Sequence, residues 1–140
     1  MNAPFRPQAQ VLHPIDLTDP NEAQRIERFV ADHADGTPFH RPAWLCAVAR
    51  GSGNRPLALV IERRGEVSGY LPLLQVHSPL FGRVLVSSGF GVGGGVLADR
   101  ASDVEALLAA AEELALRACC PSIELRGGPL PEGRPGWKVR

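Results

Sequence analysis

The sequence predicts an α/β (α+β) chain built on a mixed sheet that contains a β-hairpin and a β-α-β crossover. Three observations carry this. Leu57-Ala58-Leu59-Val60-Ile61-Glu62-Arg63 is rich in branched residues and is followed by the turn pair Arg64-Gly65 and a second apolar run to Val76, which is a hairpin pattern. Val104, Leu107, Leu108, Ala111, Ala115 and Ala118 repeat at helical spacing, with Leu114 widening the stripe. Apolar runs bracket that helix at Arg83–Ser87 and Ser122–Arg126, so the two strands should lie parallel, joined by a right-handed crossover.

The other elements follow from local signals. Residues 1–10 form a loose leader because Pro4 and Pro7 block regular pairing, and a short strand begins near Gln10-Val11-Leu12. Asp19 offers an N-cap, Pro20 suits the first helical position, and Glu22 stands three residues after the cap. Ile26, Phe29, Val30 and His33 share one face, which predicts a helix over 20–33 closed by Asp35-Gly36. A second helix runs from Pro42 to Gly51 with Trp44, Leu45 and Val48 on its apolar side. In the return strand of the hairpin, Pro72 cannot donate to a ladder and predicts a bulge or an edge. Ser102 and Glu105 form a capping box for the last helix, leaving Asp103, Glu112, Glu113 and Arg117 to face water. Residues 127–140 have a Gly/Pro loop composition after the 11–126 body.

Composition narrows the function classes. With 140 residues the chain suits one domain or a piece of a larger one. Its 15 basic and 15 acidic residues cancel, which argues against nucleic acid or an anionic membrane as a partner. No apolar run approaches the ~20 residues of a membrane span, and the proline-broken N-terminus is not a secretory signal. Three cysteines, none in a Cys-x-x-Cys pair, predict free and mostly buried thiols in a reducing, cytoplasmic setting. His13, His33, His40 and His77 have no metal-ligand spacing, so no metal site is expected.

Chemistry has few candidate places. Gly89-Phe90-Gly91-Val92-Gly93-Gly94 matches G-x-G-x-x-G literally, but the following helix starts near Ser102, and Glu124 stands thirty residues beyond Gly94, within its strand rather than at its end. The only lysine is Lys138, so a phosphate-loop lysine is missing too. A flexible surface loop and a loop lining a substrate cleft are the readings left for the glycine run. His40 could act as a base near neutral pH, though without a carboxylate partner by spacing it suits a capping or packing role. Trp44 and Trp137 could stack on a ligand or pack in the core. Glu124 and Arg126 point to one sheet face, where Arg126 could bind a carboxylate or phosphate, while Arg63-Arg64 is a solvated turn.

Several segments resemble one family. Thr37-Pro38-Phe39-His40-x-x-Ala43-Trp44, Val67-Ser68-Gly69-Tyr70-Leu71-Pro72-Leu73 and Ser78-Pro79-Leu80-Phe81-Gly82-Arg83-Val84-Leu85-Val86-Ser87 resemble FemAB-like (Fem-type) acyltransferases of the exosortase and PEP-CTERM exopolysaccharide branch. In that branch the stretch continues as S-x-P-F-x-x-Y-G-G, then a helix, then an E-L-R strand. Ser87, Phe90, Gly94, Gly95 and Glu124-Leu125-Arg126 match it, whereas Gly89 replaces a proline and Gly93 a tyrosine.

The resemblance implies a partial GNAT-like (acyl-CoA N-acyltransferase) fold at the start of a two-lobed, cytoplasmic enzyme that moves an acyl or aminoacyl group. It implies His40, Trp44, Phe90, Gly94, Gly95 and Arg126 as substrate-binding candidates, with no catalytic residue assigned. The GNAT pyrophosphate signature Q/R-x-x-G-x-G/A is missing after Arg83. The acyl-CoA or aminoacyl donor is therefore expected to bind mainly elsewhere, with no cofactor in this chain. A missing C-terminal half, or second GNAT-like domain, is the implied partner, and the segment alone is expected to be inactive. A non-enzymatic α/β module that holds a partner at a sheet edge or at the glycine loop is the alternative.

Overall fold

A computed structural model describes residues 10–80, 82–129, 131 and 133–140. Nine of the ten leader residues lie outside the described ones. The element order is β1 (Val11–Ile15), α1 (Pro20–Asp32), a one-turn 3-10 helix (Pro38–His40), α2 (Pro42–Ser52), β2 (Arg55–Arg63), β3 (Glu66–Ser78), β4 (Gly82–Ser87), β5 (Leu97–Ala98), α3 (Ala101–Arg117) and β6 (Ile123–Glu124). The sheet order is β1-β2-β3-β4-β6, with β5 also on β3. All pairs are antiparallel except β4–β6, which is parallel and joined through α3. The two-residue β5 has no sequence signal of its own length and was not expected.

The sheet is covered on both faces, so β2 and β3 are apolar without a break rather than alternating. Leu59, Ile61, Leu71 and Leu73 pack with Leu107, Leu108, Ala111 and Ala115 of α3. On the opposite face Ala58, Val60, Tyr70 and Leu74 pack with Ile26 and Val30 of α1 and Leu45 and Ala49 of α2. Each fully buried Leu, Ile or Val removes apolar surface worth about 1.5–3 kcal/mol, so these two layers hold the three-layer sandwich together. Tyr70 is wholly buried and its hydroxyl has no hydrogen-bond partner among the described residues, which drives its ionisation far above the ordinary tyrosine range.

The hairpin turn is left-handed at both central residues, Arg64 at φ 54° and Gly65 at φ 75°. That turn matches the twist of its flanking strands. The bulge falls at Ile61/Glu62 rather than at Pro72. Pro72 sits opposite Ala58 in the β2–β3 ladder. Its carbonyl accepts the Ser88 amide at 2.7 Å, so the missing N–H lies on the same side, toward β4. There β3 changes partner, pairing with β4 from Leu73 onward and with β5 at Gly69–Tyr70. The proline occupies the gap where β4 leaves the sheet, so no ladder bond is lost.

Three expectations are corrected. First, α3 begins at Ala101, with Arg100 as its cap and no side-chain capping bond, so Ser102 is not the N-cap. Second, Asp103 does not face water. It is fully buried and bonds Arg63 at 2.6 Å, which removes Arg63 from the solvated turn; the strand end lies over the first turn of α3, and the carboxylate also meets the helix's positive end. Third, Glu112 is an anchor. Arg134 bonds it at 3.1 and 2.7 Å, Trp137 donates to it at 2.8 Å, and Arg134 lowers its titration further below the usual carboxylate range than Trp137 does. The thiols are also less sheltered than expected: Cys120 is buried, Cys46 half-buried and Cys119 exposed.

Removing Asp103 leaves the largely buried Arg63 guanidinium without its counter-ion. Asp103→Ala should lose about 3 kcal/mol in urea unfolding, and the matched apolar pair Arg63→Met with Asp103→Leu should recover most of it. Equal loss in the single and double variants would show that the ion pair is not the cause.

Candidate functional site

Both parallel strands end at the same edge of the sheet, β4 at Ser87 and β6 at Glu124. The chain diverges there. Ser87, fully buried, spans the opening with its hydroxyl, which accepts the Arg126 amide at 2.7 Å. In parallel α/β sheets a crevice beyond the carboxyl ends of the strands is the usual place for a ligand.

The glycine run leaves β4 at this point. Ser88, Gly89 and Phe90 all have positive φ, at 62°, 54° and 55°. Left-handed backbone at two non-glycine positions flanking a glycine is costly and needs support from its surroundings. The support comes from the segment between α1 and α2. The Ser88 hydroxyl donates to the Phe39 carbonyl. The Trp44 indole donates to the Gly89 carbonyl at 3.2 Å, the Thr37 hydroxyl to Gly93 at 2.8 Å, and His40 Nε2 to Gly95 at 2.9 Å. From the other side Arg126 donates to the Gly91 carbonyl at 3.4 Å. The carbonyls of Gly89, Gly91, Gly93 and Gly95 are therefore all held by side chains.

This contact explains the glycines. A Cβ on Gly91 would lie 2.7 Å from the Phe39 ring, one on Gly94 2.1 Å from the Ser88 Cβ, and one on Gly95 1.9 Å from the Gly127 carbonyl oxygen. The loop is thus not a flexible surface loop: Ser88, Gly89, Gly91, Gly94 and Gly95 are buried, and Phe90 and Val92 are its exposed side chains.

His40 is the centre of the clasp. Its Nδ1 accepts the Thr37 amide at 3.1 Å, which puts the ring proton on Nε2, the donor to Gly95. Burial, foremost, lowers its titration below the ordinary histidine value, and nearby His33 adds to this; the Gly95 carbonyl and Asp35 oppose it. The neutral ring suits the clasp, because a second ring proton on Nδ1 would face the Thr37 N–H. Trp44 packs edge-on against Phe39, with ring centres 4.9 Å apart. Glu124 and Arg126 pair at 2.9 Å.

The structure brings His40, Trp44, Gly94, Gly95 and Arg126 onto one loop, and Phe90 rides on it with its ring exposed. Thr37 and Ser88 were not singled out by sequence, although Thr37 begins a capping box closed by His40. Trp137 lies apart, on α3. Among the described residues no three His, Cys, Asp or Glu side chains gather as metal ligands, and no helix is long and apolar enough to cross a membrane.

What the clasp leaves open is amide hydrogen. In a trans peptide the N–H points opposite to the preceding carbonyl. With the carbonyls of Gly89, Gly93 and Gly95 turned to the Thr37–Trp44 segment, the amides of Phe90, Gly94 and Val96 point away from it. None of the amides from Gly89 to Val96 bonds an acceptor among the described residues. Such donors seek an anion, a carbonyl oxygen or water.

The architecture is that of the GNAT acetyltransferases. Similar solved structures include a ribosomal-protein-alanine N-acetyltransferase from Brucella melitensis biovar Abortus 2308, 15% identical with a TM-score of 0.61, the match covering 89% of this chain and 84% of that one. A Trypanosoma brucei acetyltransferase is also 15% identical with a TM-score of 0.61, with 94% of each chain covered. A GNAT family acetyltransferase from Staphylococcus aureus subsp. aureus USA300_TCH1516 is 14% identical with a TM-score of 0.58, covering 94% of this chain and 98% of its own. No family model matches the sequence, and neither does any curated protein.

Two outcomes test the clasp. Gly95→Ala should cost about 3 kcal/mol or more, since the added methyl meets backbone rather than a movable side chain; a wild-type unfolding midpoint would disprove the close approach. Because folding lowers the His40 pKa, the unfolded chain binds the proton more readily. Stability from His40 should be complete above about pH 6.5 and lost as pH falls from there through the lower folded value. Unfolding measured against pH should therefore fall more steeply in the wild type than in His40→Gln, which keeps a donor for Gly95 but does not titrate.

Proposed function

We propose that this chain is an acyl- or aminoacyl-transfer module that holds the phosphate portion of its donor on the amides of the glycine loop. The observation that carries the reading is the clasp itself: carbonyls tied back by Thr37, His40, Trp44 and Arg126, and a run of amides without acceptors at the carboxyl end of the parallel strands. The GNAT architecture supports it, because amide donors on a fixed backbone are suited to anion binding and to polarising a carbonyl. Arg126 adds a cation beside Gly91, and the exposed Phe90 ring offers an apolar surface at the rim.

The motif resemblance refines the proposal. A FemAB-like enzyme of the exosortase and PEP-CTERM branch would carry a second GNAT-like half. The resemblance by itself implies a donor bound mainly outside this chain; the clasped loop favours the donor here instead, with the second half supplying the acceptor side of the cleft and residues 1–140 able to bind a donor but not to turn it over. In transfer, the acceptor nitrogen attacks the donor carbonyl, the new C–N bond replaces the bond to the leaving group, and the nitrogen releases a proton. This chain's part is to position the donor, an effect that can lower the barrier by several kcal/mol.

Titration of ¹⁵N-labelled protein with coenzyme A should shift the amide signals of Phe90, Gly94 and Val96 in a saturable way. Arg126→Ala should weaken binding about ten-fold, the loss of one charge-assisted contact. Unmoved loop amides at millimolar coenzyme A and millimolar pyrophosphate would overturn the donor-site reading. Acyl transfer by residues 1–140 alone would overturn the two-half reading and leave the donor site standing.

A further inference from the structure

The charges of this chain are unevenly spread. Residues 36–61 and 67–98 contain no Asp or Glu, so the balance of 15 basic and 15 acidic residues is struck elsewhere. The two acid-free stretches meet at one end of the sheet, where β2 starts at Arg55, β3 ends at Ser78 and β4 starts at Gly82. In the ladders Arg55 stands opposite Gln75, and His77 opposite Arg83. Residues directly opposite share a face. It is the α3 face, since Leu73 and Leu85, in step with Gln75, pack against α3.

Two helices end beside these strands. Arg83 donates to the Ala118 carbonyl, just past α3, at 3.4 Å. The Asn54 side chain, just past α2, accepts the His77 amide at 3.2 Å. Arg50 and Arg117 stand in the last turns of α2 and α3, where cations suit the negative helix ends. Arg50, Arg55, His77, Arg83 and Arg117 are all exposed. Arg117 pairs with Glu113 of its own helix, whereas Arg50, Arg55 and Arg83 have no ion-pair partner among the described residues. The acids that follow β1 are used locally: Asp16 accepts from Thr18, and Asp19 caps α1. The same end carries the two most exposed large apolar side chains among the described residues. Leu80, in the β3–β4 turn, is 86% exposed, and Leu116, in the last turn of α3, is 80% exposed.

We infer that this end of the molecule docks on an anionic lipid surface. Arginines alone would fit any polyanion, and leucines alone any apolar partner. Together they fit a place where hydrocarbon lies beneath a layer of negative charge. A strand turn and two helix ends protrude rather than enclose, which suits a broad surface over a small ligand. The chain-wide charge balance that argues against such a surface does not describe this face. The glycine loop leaves the opposite end of β4, after Ser87, so docking leaves it open and the inference does not rest on donor binding.

The test is co-sedimentation of the 140-residue chain with vesicles of phosphatidylcholine containing about a third phosphatidylglycerol, set against vesicles of phosphatidylcholine alone. Binding to the anionic vesicles should be at least about ten-fold stronger and should weaken as salt is raised. Arg55→Glu combined with Arg83→Glu should weaken it about ten-fold or more. Leu80→Ser combined with Leu116→Ser should also weaken it about ten-fold, with thermal unfolding close to wild type because both side chains are exposed. The leucine pair keeps the test decisive should loss of the Arg83–Ala118 bond disturb the end of α3. A lipid with a spin-labelled head group should broaden the Leu80, Arg83 and Leu116 amide signals in ¹⁵N spectra and spare those of Phe90 and Gly94. Absence of sedimentation, equal binding to neutral vesicles, binding unchanged by the leucine pair, or broadening confined to the glycine loop would each overturn the inference. Heparin binding without vesicle binding would assign the arginines to a soluble polyanion and overturn it as well.

Discussion

A backbone without side chains lies directly against the Thr37–Trp44 segment, and the organisation of this end of the molecule follows from that contact. Where Phe39 faces Gly91 and the Gly127 carbonyl faces Gly95, there is no room for a methyl group. Side chains from Thr37, His40 and Trp44 can then reach loop carbonyls that bulkier residues would hold at a distance. Each bond is worth about 1 kcal/mol net, yet each also prevents a buried carbonyl from going unmet, which would cost more. The left-handed turn at Ser88–Phe90 persists because these bonds over-determine it.

The clasp also links the two layers of helices. Thr37 to Trp44 belong to the face carrying α1 and α2, whereas Gly127 and Arg126 follow the β6 strand that α3 delivers. The glycine loop sits between them and gathers bonds from both. The Arg63–Asp103 pair has a comparable role at the tip of the β2–β3 hairpin, joining it to the first turn of α3. What the carboxyl end of the parallel strands presents is thus backbone groups rather than a cluster of reactive side chains among the described residues.

Much of the fold could be read in the residues. The β2–β3 hairpin was legible because Arg64-Gly65 is a turn pair between two apolar runs, and α3 because its apolar stripe spans four turns. The parallel β4–β6 pair followed from the helix between them. The misreadings share one cause. Asp103, Glu112 and Arg63 are polar residues that local pattern assigns to water, but partners 40 and 22 residues away cover or anchor them. Ser102 looked like a cap because Glu105 follows at the right spacing, yet the helix already begins at Ala101 with Arg100 as its cap.

Local chemistry along the chain settled the helices, the hairpin and the presence of an unusual glycine run, since propensity, period and turn geometry act over a few residues. Whether those glycines hang free or lie clamped was a matter of folding in three dimensions. Their carbonyl partners are Thr37, His40, Trp44 and Arg126, separated from them by 35 to 56 positions. No nearby pattern encodes such a distance: the partners meet because burial of both sheet faces brings the α1–α2 connection and the end of β6 to the same edge.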